Sequence, residues 1–432
     1  MAAIEKYDLI VVGAGPAGSA AALVAARAGL KVIIFERGEF PGSKNMFGGV
    51  LFGHEINELI PNYWETAPVE RALIEERYFL VSGNSATTIA MRTKDFAEPP
   101  YNGFSVLRAR FDKWFADQAV EAGALLVCET LVESLIMDHG KCVGVKTGRA
   151  DGDVYADCVI VAEGANSLLT RDAGIHAEWK TNEVGVGVKE LIKMPKDVLE
   201  NRFNLTGQEG VSMRILGLTK GMTGGVFLYT NKETVSLGFV AMIEDLAARG
   251  FKPNDLMEEI KSNPMIAPFI EGGSTVEYTA HMVPEQGYKS VPRLVHDGLL
   301  IAGDAAMISN LLTGEGANLA VTTGRLAGEA VVAAKAAGDY SALGLYSYQN
   351  ALDASYVMKD LKQFKGFAGY LHGNPDLMDL YPQLANEFLK GLLTADGTPR
   401  GAKAKALLAE VKKKKSLFGI AKDLWRGWRV IK

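Results

Sequence analysis

Gly13, Gly15 and Gly18 stand at the spacing G-x-G-x-x-G, and an acidic residue, Glu36, follows Gly18 by 18 positions. Each glycine answers a different demand of a bound pyrophosphate. Gly13 permits a tight turn, Gly15 lets the backbone approach the phosphates, and Gly18 lets a helix lie close on a strand. A carboxylate at Glu36 is placed to accept hydrogen bonds from ribose hydroxyls. A second carboxylate, Asp304, sits far along the chain in GLLIAGDAA (Gly298–Ala306). NAD enzymes do not normally need such a distant Gly-Asp element, whereas the ribitol hydroxyls of FAD give Asp304 a task. The chemistry expected is therefore flavin redox chemistry.

These residues need particular elements to hold them. DLIVVGAG reads as a buried strand running into a turn, Pro16–Ala28 as an alanine-rich helix ended by Gly29, and KVIIFE as a second strand that delivers Glu36. The helix N-terminus offers N–H groups and a partial positive charge to phosphates. LLIAG is a strand that delivers Gly303 and Asp304, and NLLTGEGANLAVTTGRLAGEAVVAA reads as a loop and a long helix starting near Gly314–Asn318. The dipole of that helix, aimed at a flavin ring, stabilises negative charge on the reduced form.

This pattern resembles the flavoproteins of glutathione-reductase type, in the branch of aromatic hydroxylases, geranylgeranyl reductases and electron-transfer-flavoprotein:quinone oxidoreductases. Asn45–Gly49 (NMFGG) lies where the family's flavin-contacting loop lies. Val106–Gly123 matches its arginine-plus-helix element, and Val159–Ser167 (VIVAEGANS) its Asp-Gly motif, with Glu163 in place of the usual aspartate. The resemblance implies FAD contacts at Gly13, Gly15, Pro16, Ala17, Gly18, Glu36, Arg37, Gly48, Gly49, Arg108, Val132, Gly164, Gly303, Asp304, Gly314, Gly316, Ala317 and Asn318. Arg108 would meet the pyrophosphate. The departure at Glu163 speaks against direct use of NADPH, which the hydroxylases bind there.

Gly221–Val240 (GMTGGVFLYTNKETVSLGFV) reads as two antiparallel strands with a turn at Asn231–Glu233, and Glu285–Pro292 reads EQGYKSVP. Both segments resemble those lining the quinone pocket of the quinone oxidoreductases. Gly224, Gly225 and Gly287 are the positions carried over, because a backbone N–H reaches a quinone carbonyl only where no side chain intervenes. The resemblance spans nearly the whole chain and is closest to the FixC-type branch. Fused relatives carry a four-cysteine iron–sulfur cluster at the C-terminus. This chain has three cysteines, Cys128, Cys142 and Cys158, and none beyond the last, so no cluster is expected on it. The resemblance then implies partners: a two-subunit electron-transfer flavoprotein as electron source, a separate small ferredoxin-like protein of FixX type carrying the cluster, and a membrane quinone as acceptor, in some relatives within an electron-bifurcating complex. Other readings are a geranylgeranyl-reductase-like isoprenoid reductase, an FAD monooxygenase, and a flavin-bearing structural subunit.

The chain of 432 residues carries a net charge of −5, unevenly spread: Lys403–Lys432 holds ten Lys/Arg against two Asp/Glu, a net of +8 that leaves −13 on the remainder. An acidic body argues against nucleic acid. In the basic tail, Leu417, Ile420, Leu424, Trp428 and Ile431 fall on one helical face, with Phe418 and Trp425 beside it. A basic amphipathic helix with tryptophans suits a membrane surface, or acidic partner subunits. A cytoplasmic protein, peripheral on the inner face of the cell membrane, is expected. The six histidines show no metal-ligand spacing, and no catalytic acid or base stands out.

The expected fold class is α/β: a discontinuous Rossmann-like FAD domain (1–75, 104–175, 288–345), an inserted α+β quinone or substrate domain (76–103, 176–287), and a helical C-terminal region (346–432).

Overall fold

A computed structural model describes residues 6–44 and 48–432. Contacts group the chain into two units: Met1–Glu70, Pro100–Val184 and Met282–Lys362 form one, and Arg71–Pro99, Gly185–His281 and Gln363–Lys432 the other.

The first unit is built on five parallel strands in the order Leu299–Ile301, Asp153–Val161, Lys6–Val12 (β1), Val32–Phe35 (β2), Leu125–Val127. The run LIVV of β1 is buried on both faces, which is why it reads as continuously apolar. Side chains still alternate. Ile10, Val12, Ile33, Phe35, Val159, Val161 and Leu299 share one core with Val132, Cys142 and Val145 from the adjoining hairpin strands Val132–Asp138 and Lys141–Thr147. On the opposite face, the helix Pro16–Arg27 (α1) crosses at Val11.

The register aligns Val12 with both Phe35 and Val161, and Val161 with Ile301. Parallel strands in that register all end at one edge. Gly13, Glu36, Ala162 and Ala302 therefore follow their strands side by side, which is where open α/β sheets hold ligands.

Against α1 lies the long helix Ala317–Ala337. Its glycines make the approach possible. A Cβ on Gly324 would lie 2.0 Å from the Ala17 carbonyl oxygen, and one on Gly328 2.7 Å from that of Ala21.

In the second unit, strands run in the order Ser274–Pro284, Val184–Lys193, Thr234–Met242, Gly224–Thr230, Glu209–Leu216, Val69–Ser82, with Ser85–Arg92 paired to the last. The hairpin expected at Asn231–Glu233 is there, closed by the Asn231 amide on the Thr234 carbonyl at 2.8 Å. Residues 346–362 group with the first unit, and Gln363–Lys432 with the second. Asn386 ties that helical segment to the strands: its Nδ2 donates to the Leu80 carbonyl at 2.9 Å and its Oδ1 accepts from Thr87 at 2.7 Å.

The terminal helix Leu417–Ile431 packs through Asp423 and Gly427, both buried, against Tyr370. The Tyr370 hydroxyl donates to the Asp423 carbonyl at 3.1 Å, and a Cβ on Gly427 would lie 2.8 Å from that hydroxyl oxygen. Gly427 therefore weakens the helix but admits the ring. The apolar face turns the other way: Phe418 is 80%, Leu424 65% and Trp428 58% exposed.

Candidate flavin site

The three motif glycines are held to that identity by different neighbours. Gly13 has φ +98°, and a Cβ there would lie 2.4 Å from the Ala162 carbonyl oxygen. A Cβ on Gly18 would lie 1.8 Å from the Gly13 carbonyl oxygen and 3.1 Å from Val11 Cγ1. At Gly15, with φ −74°, a Cβ would meet no atom within 4 Å. The chain itself therefore requires Gly13 and Gly18. Gly15 borders open space, which suits the approach of a phosphate.

Gly15 is also the N-cap of α1, with no side-chain cap and no acidic residue in the first turn. Gly316 caps the long helix in the same bare way. Both N-termini keep their N–H groups for an anion or a polar ring edge. Pro16 and Ala17 are buried in the first turn of α1, Ala317 opens the long helix, and Asn318 is buried one position on. Gly314 takes φ +69° in a loop closed by its own amide on the Asn310 carbonyl at 2.8 Å.

Glu36 is buried at the end of β2. Its Oε2 accepts from the Ala14 amide at 3.0 Å and its Oε1 from the Gly38 amide at 2.7 Å. Two backbone donors thus orient the carboxylate beside the glycine turn, and each oxygen keeps a lone pair for a ribose hydroxyl. Arg37 is exposed next to it.

Arg108 opens the helix Arg108–Glu121 and is buried. Its Nε and Nη2 donate to the two oxygens of Asp112, and a Cβ on Gly48 would lie 3.3 Å from its Nη1. The expectation for Asn45–Gly49 falls partly on Asn45–Phe47, which lie outside the described residues; Gly49 is buried beside Gly48. Asp304 follows Gly303, whose amide donates to Thr323 Oγ1 at 2.9 Å. Burial pushes the Asp304 carboxyl up to about 6, with the Arg108 charge opposing. Its carboxylate makes no hydrogen bond among the described residues, so it is available to a ligand hydroxyl. Val132 turns its side chain into the core and can offer a ligand only backbone. Gly164 takes φ +81° beside the glycine turn.

Sequence reasoning missed two roles. Asp112 orients Arg108, and the signal was the i,i+4 spacing of opposite charges. Glu163 is a helix cap: it accepts from the amides of Leu169 at 2.8 Å and Thr170 at 3.0 Å, and from the Thr170 hydroxyl at 3.1 Å. The extra methylene relative to aspartate is used to reach the N-terminus of the helix Leu168–Asp172.

The quinone candidates differ among themselves. Gly224 has φ +149°, and a Cβ there would lie 1.9 Å from the Val240 carbonyl oxygen, so strand pairing alone demands glycine. Gly225 has only Ile215 and Leu216 atoms at 3.9 Å, and nothing in its own unit excludes a side chain. In the other unit, Gly287 has φ +61° and faces Ser309 and Leu361. Two residues before it, burial pushes the Glu285 carboxyl up to about 8 with no charged group opposing. The three cysteines are free thiols; burial pushes Cys142 up to about 11.

Two uncapped helix N-termini, an oriented carboxylate, an arginine and a second carboxylate on one strand edge fit the adenosine, pyrophosphate and ribitol of FAD. The chain has the fold and the site of an FAD-dependent oxidoreductase, and residues 8–190 match the family described as FAD dependent oxidoreductase. Bound there, FAD supplies the redox chemistry.

Residues 184–283 match "ETF-QO, ubiquinone-binding", and residues 367–432 match "ETF-QO/FixC family C-terminal domain". Protein FixC of Bradyrhizobium diazoefficiens is 43% identical over 98% of this chain and 99% of its own. Protein FixC of Escherichia coli K12 is 41% identical over 99% of each chain. The chain belongs to the FixC family. Among solved structures, a geranylgeranyl bacteriochlorophyll reductase-like protein from Thermoplasma acidophilum superposes with a TM-score of 0.73 at 22% identity, covering 96% of this chain and 98% of its own. That similarity concerns the fold.

Proposed function

We propose that this chain takes electrons from a two-subunit electron-transfer flavoprotein onto its FAD and passes them to a membrane quinone. The observation that carries the reading is the ubiquinone-binding match over residues 184–283, together with Gly225, whose lack of a side chain its own strands do not explain. A quinone carbonyl facing that backbone does explain it. A relative in Escherichia coli, 39% identical over 98% of each chain, bears the name probable electron transfer flavoprotein-quinone oxidoreductase YdiS.

A separate small ferredoxin-like protein carries the iron–sulfur relay in this reading, in keeping with the membership of the chain in the FixC family. The same division of labour suits a bifurcating assembly, in which one electron of each pair goes to a low-potential carrier and the other comes here. The outward face of the terminal helix, with Phe418, Leu424, Trp425 and Trp428 exposed and Lys422, Arg426 and Arg429 around it, supports a peripheral position on the inner face of the cell membrane. Among the described residues no helix is long and apolar enough to cross a membrane.

The test is reoxidation of the flavin. The purified protein is photoreduced without oxygen and mixed with a short-chain quinone, and flavin absorbance is followed. Rapid quinone-dependent recovery is expected. A flavin that stays reduced with quinone, but is reoxidised by an isoprenoid with conjugated double bonds, would overturn this reading in favour of an isoprenoid reductase.

A further inference from the structure

We propose that Glu55, Thr322 and Tyr356 form a proton path from the protein surface to the first turn of the long helix Ala317–Ala337, at the flavin site. The inference rests on the FAD assignment and goes beyond it. A two-electron reduction of an isoalloxazine takes up one proton in reaching the anionic reduced form and two in reaching the neutral one. A site that excludes water must import them.

The inner end is a cluster of hydroxyls. Thr322, on the long helix, donates from Oγ1 to the Asn318 carbonyl at 3.0 Å and lies 3.4 Å from the Tyr356 hydroxyl. Asn318 Nδ2 lies 3.4 Å from the same hydroxyl and 2.8 Å from Glu315 Oε2. The 3.4 Å contacts are loose, as catalytic contacts often are before a ligand settles. The Asn318 side-chain amide donates to Tyr356 at the helix start, and either hydroxyl of the Thr322–Tyr356 pair can be the donor.

The outer end is an acid. Glu55 is 4% exposed, and its Oε2 has no hydrogen-bond partner. Thr322 lies three positions before Arg325 on the long helix, on the face that meets Glu55, and its hydroxyl opposes the rise that burial imposes on this carboxyl. Arg325 Nη2 stands 3.8 Å from Glu55 Oε2, but it also faces Glu58 at 3.5 Å, while Nη1 binds Glu329 at 2.9 Å. One cation shared by three carboxylates leaves Glu55 easy to protonate. His54 and Glu58 are exposed, and their polar atoms and one of Glu55 lie within 4.8 Å of one another. Bulk protons thus have a titratable surface pair to land on.

The balance is simple. Electrons come from the reduced electron-carrier protein, or from a chemical reductant. Glu55 gives its proton to Thr322, whose hydroxyl turns from the Asn318 carbonyl and passes its own proton to Tyr356, and the Tyr356 proton moves to the site. Glu55 is then reprotonated from solvent past His54 and Glu58. Burial pushes the Tyr356 phenol up to about 12, so it relays and does not act as a net acid.

The test uses the FAD-loaded protein, reduced by a fast photochemical donor in weak buffer with a pH-indicator dye. Proton uptake is timed separately from the loss of flavin absorbance. Glu55→Gln and Tyr356→Phe should each slow proton uptake by about tenfold or more, with FAD affinity and thermal unfolding close to wild type. Thr322→Val, which keeps shape, should do the same and covers the case in which Glu55→Gln fails to fold. Wild-type uptake rates in all soluble variants would overturn the path. A wild-type protein that binds no FAD would instead overturn the flavin assignment.

Discussion

Arg108 grips Asp112, one turn further along its helix, with two nitrogens: Nε to Oδ1 at 2.7 Å and Nη2 to Oδ2 at 2.8 Å. A bidentate pair fixes the plane of the guanidinium as well as its position. The residue expected to meet a pyrophosphate is therefore aimed in advance. Asp112→Asn should keep one acceptor but lose the charge and the fork. FAD affinity should fall by about tenfold, or ~1.4 kcal/mol, measured by titrating apoprotein with FAD.

Gly15 and Gly18 make opposite predictions. Gly18→Ala places a Cβ 1.8 Å from the Gly13 carbonyl oxygen, so the apoprotein itself should lose about 3 kcal/mol. Gly15→Ala meets nothing within 4 Å and should leave apoprotein unfolding unchanged while weakening FAD. Thermal unfolding of both apoproteins, with FAD titrations alongside, separates the two effects. Equal loss of apoprotein stability in both would show that Gly15 is not a ligand-facing position.

Glu163 caps the helix Leu168–Asp172 through two amides. Glu163→Ala should cost about 1 kcal/mol in denaturant unfolding. Glu163→Asp is too short to reach the same amides, and it should lower stability without conferring NADPH oxidation. NADPH consumption by that variant would mean that the substitution, and not the surrounding fold, bars the nucleotide.

Glu285 sets a pH dependence. Its carboxyl is raised from 4.5 to about 8 by burial, so the folded chain keeps a proton that the unfolded chain has already released. The stability it contributes is present below the unfolded value and is lost as pH rises through the folded one, by up to about 1.4 kcal/mol per pH unit. Glu285→Gln lacks that loss. Thermal midpoints at about pH 5 and about pH 8.5 should show the variant gaining on wild type at the higher pH.

Much of the FAD site was legible because its signals are local. The turn at Gly13, the helix start at Pro16 and the strand end at Glu36 lie within one strand–helix–strand stretch, and each residue type serves its immediate neighbours. Glu163 was not legible in the same way. Its departure from aspartate was visible, but its task depends on where the amides of Leu169 and Thr170 come to lie. Gly224 and Gly225 looked alike as neighbours in one strand. Only the partner strand separates them, since the Val240 carbonyl crowds one and not the other.

By itself the sequence determined the cofactor class and the elements that hold it, because strand and helix periods and glycine spacing are short-range properties of the backbone. It also determined the unequal charge and the amphipathic tail, which are matters of composition and order. The tertiary structure alone decided which charged and polar groups meet across long stretches of chain. Asp304 meets the field of Arg108 although 196 positions of chain separate them, and Glu55 meets the helix that bears Thr322 across 267 positions. It also decided that the terminal helix turns its tryptophans outward, since Gly427 leaves room for Tyr370 on the opposite face. Electrostatics and packing act through space, and distance along the chain carries little information about either.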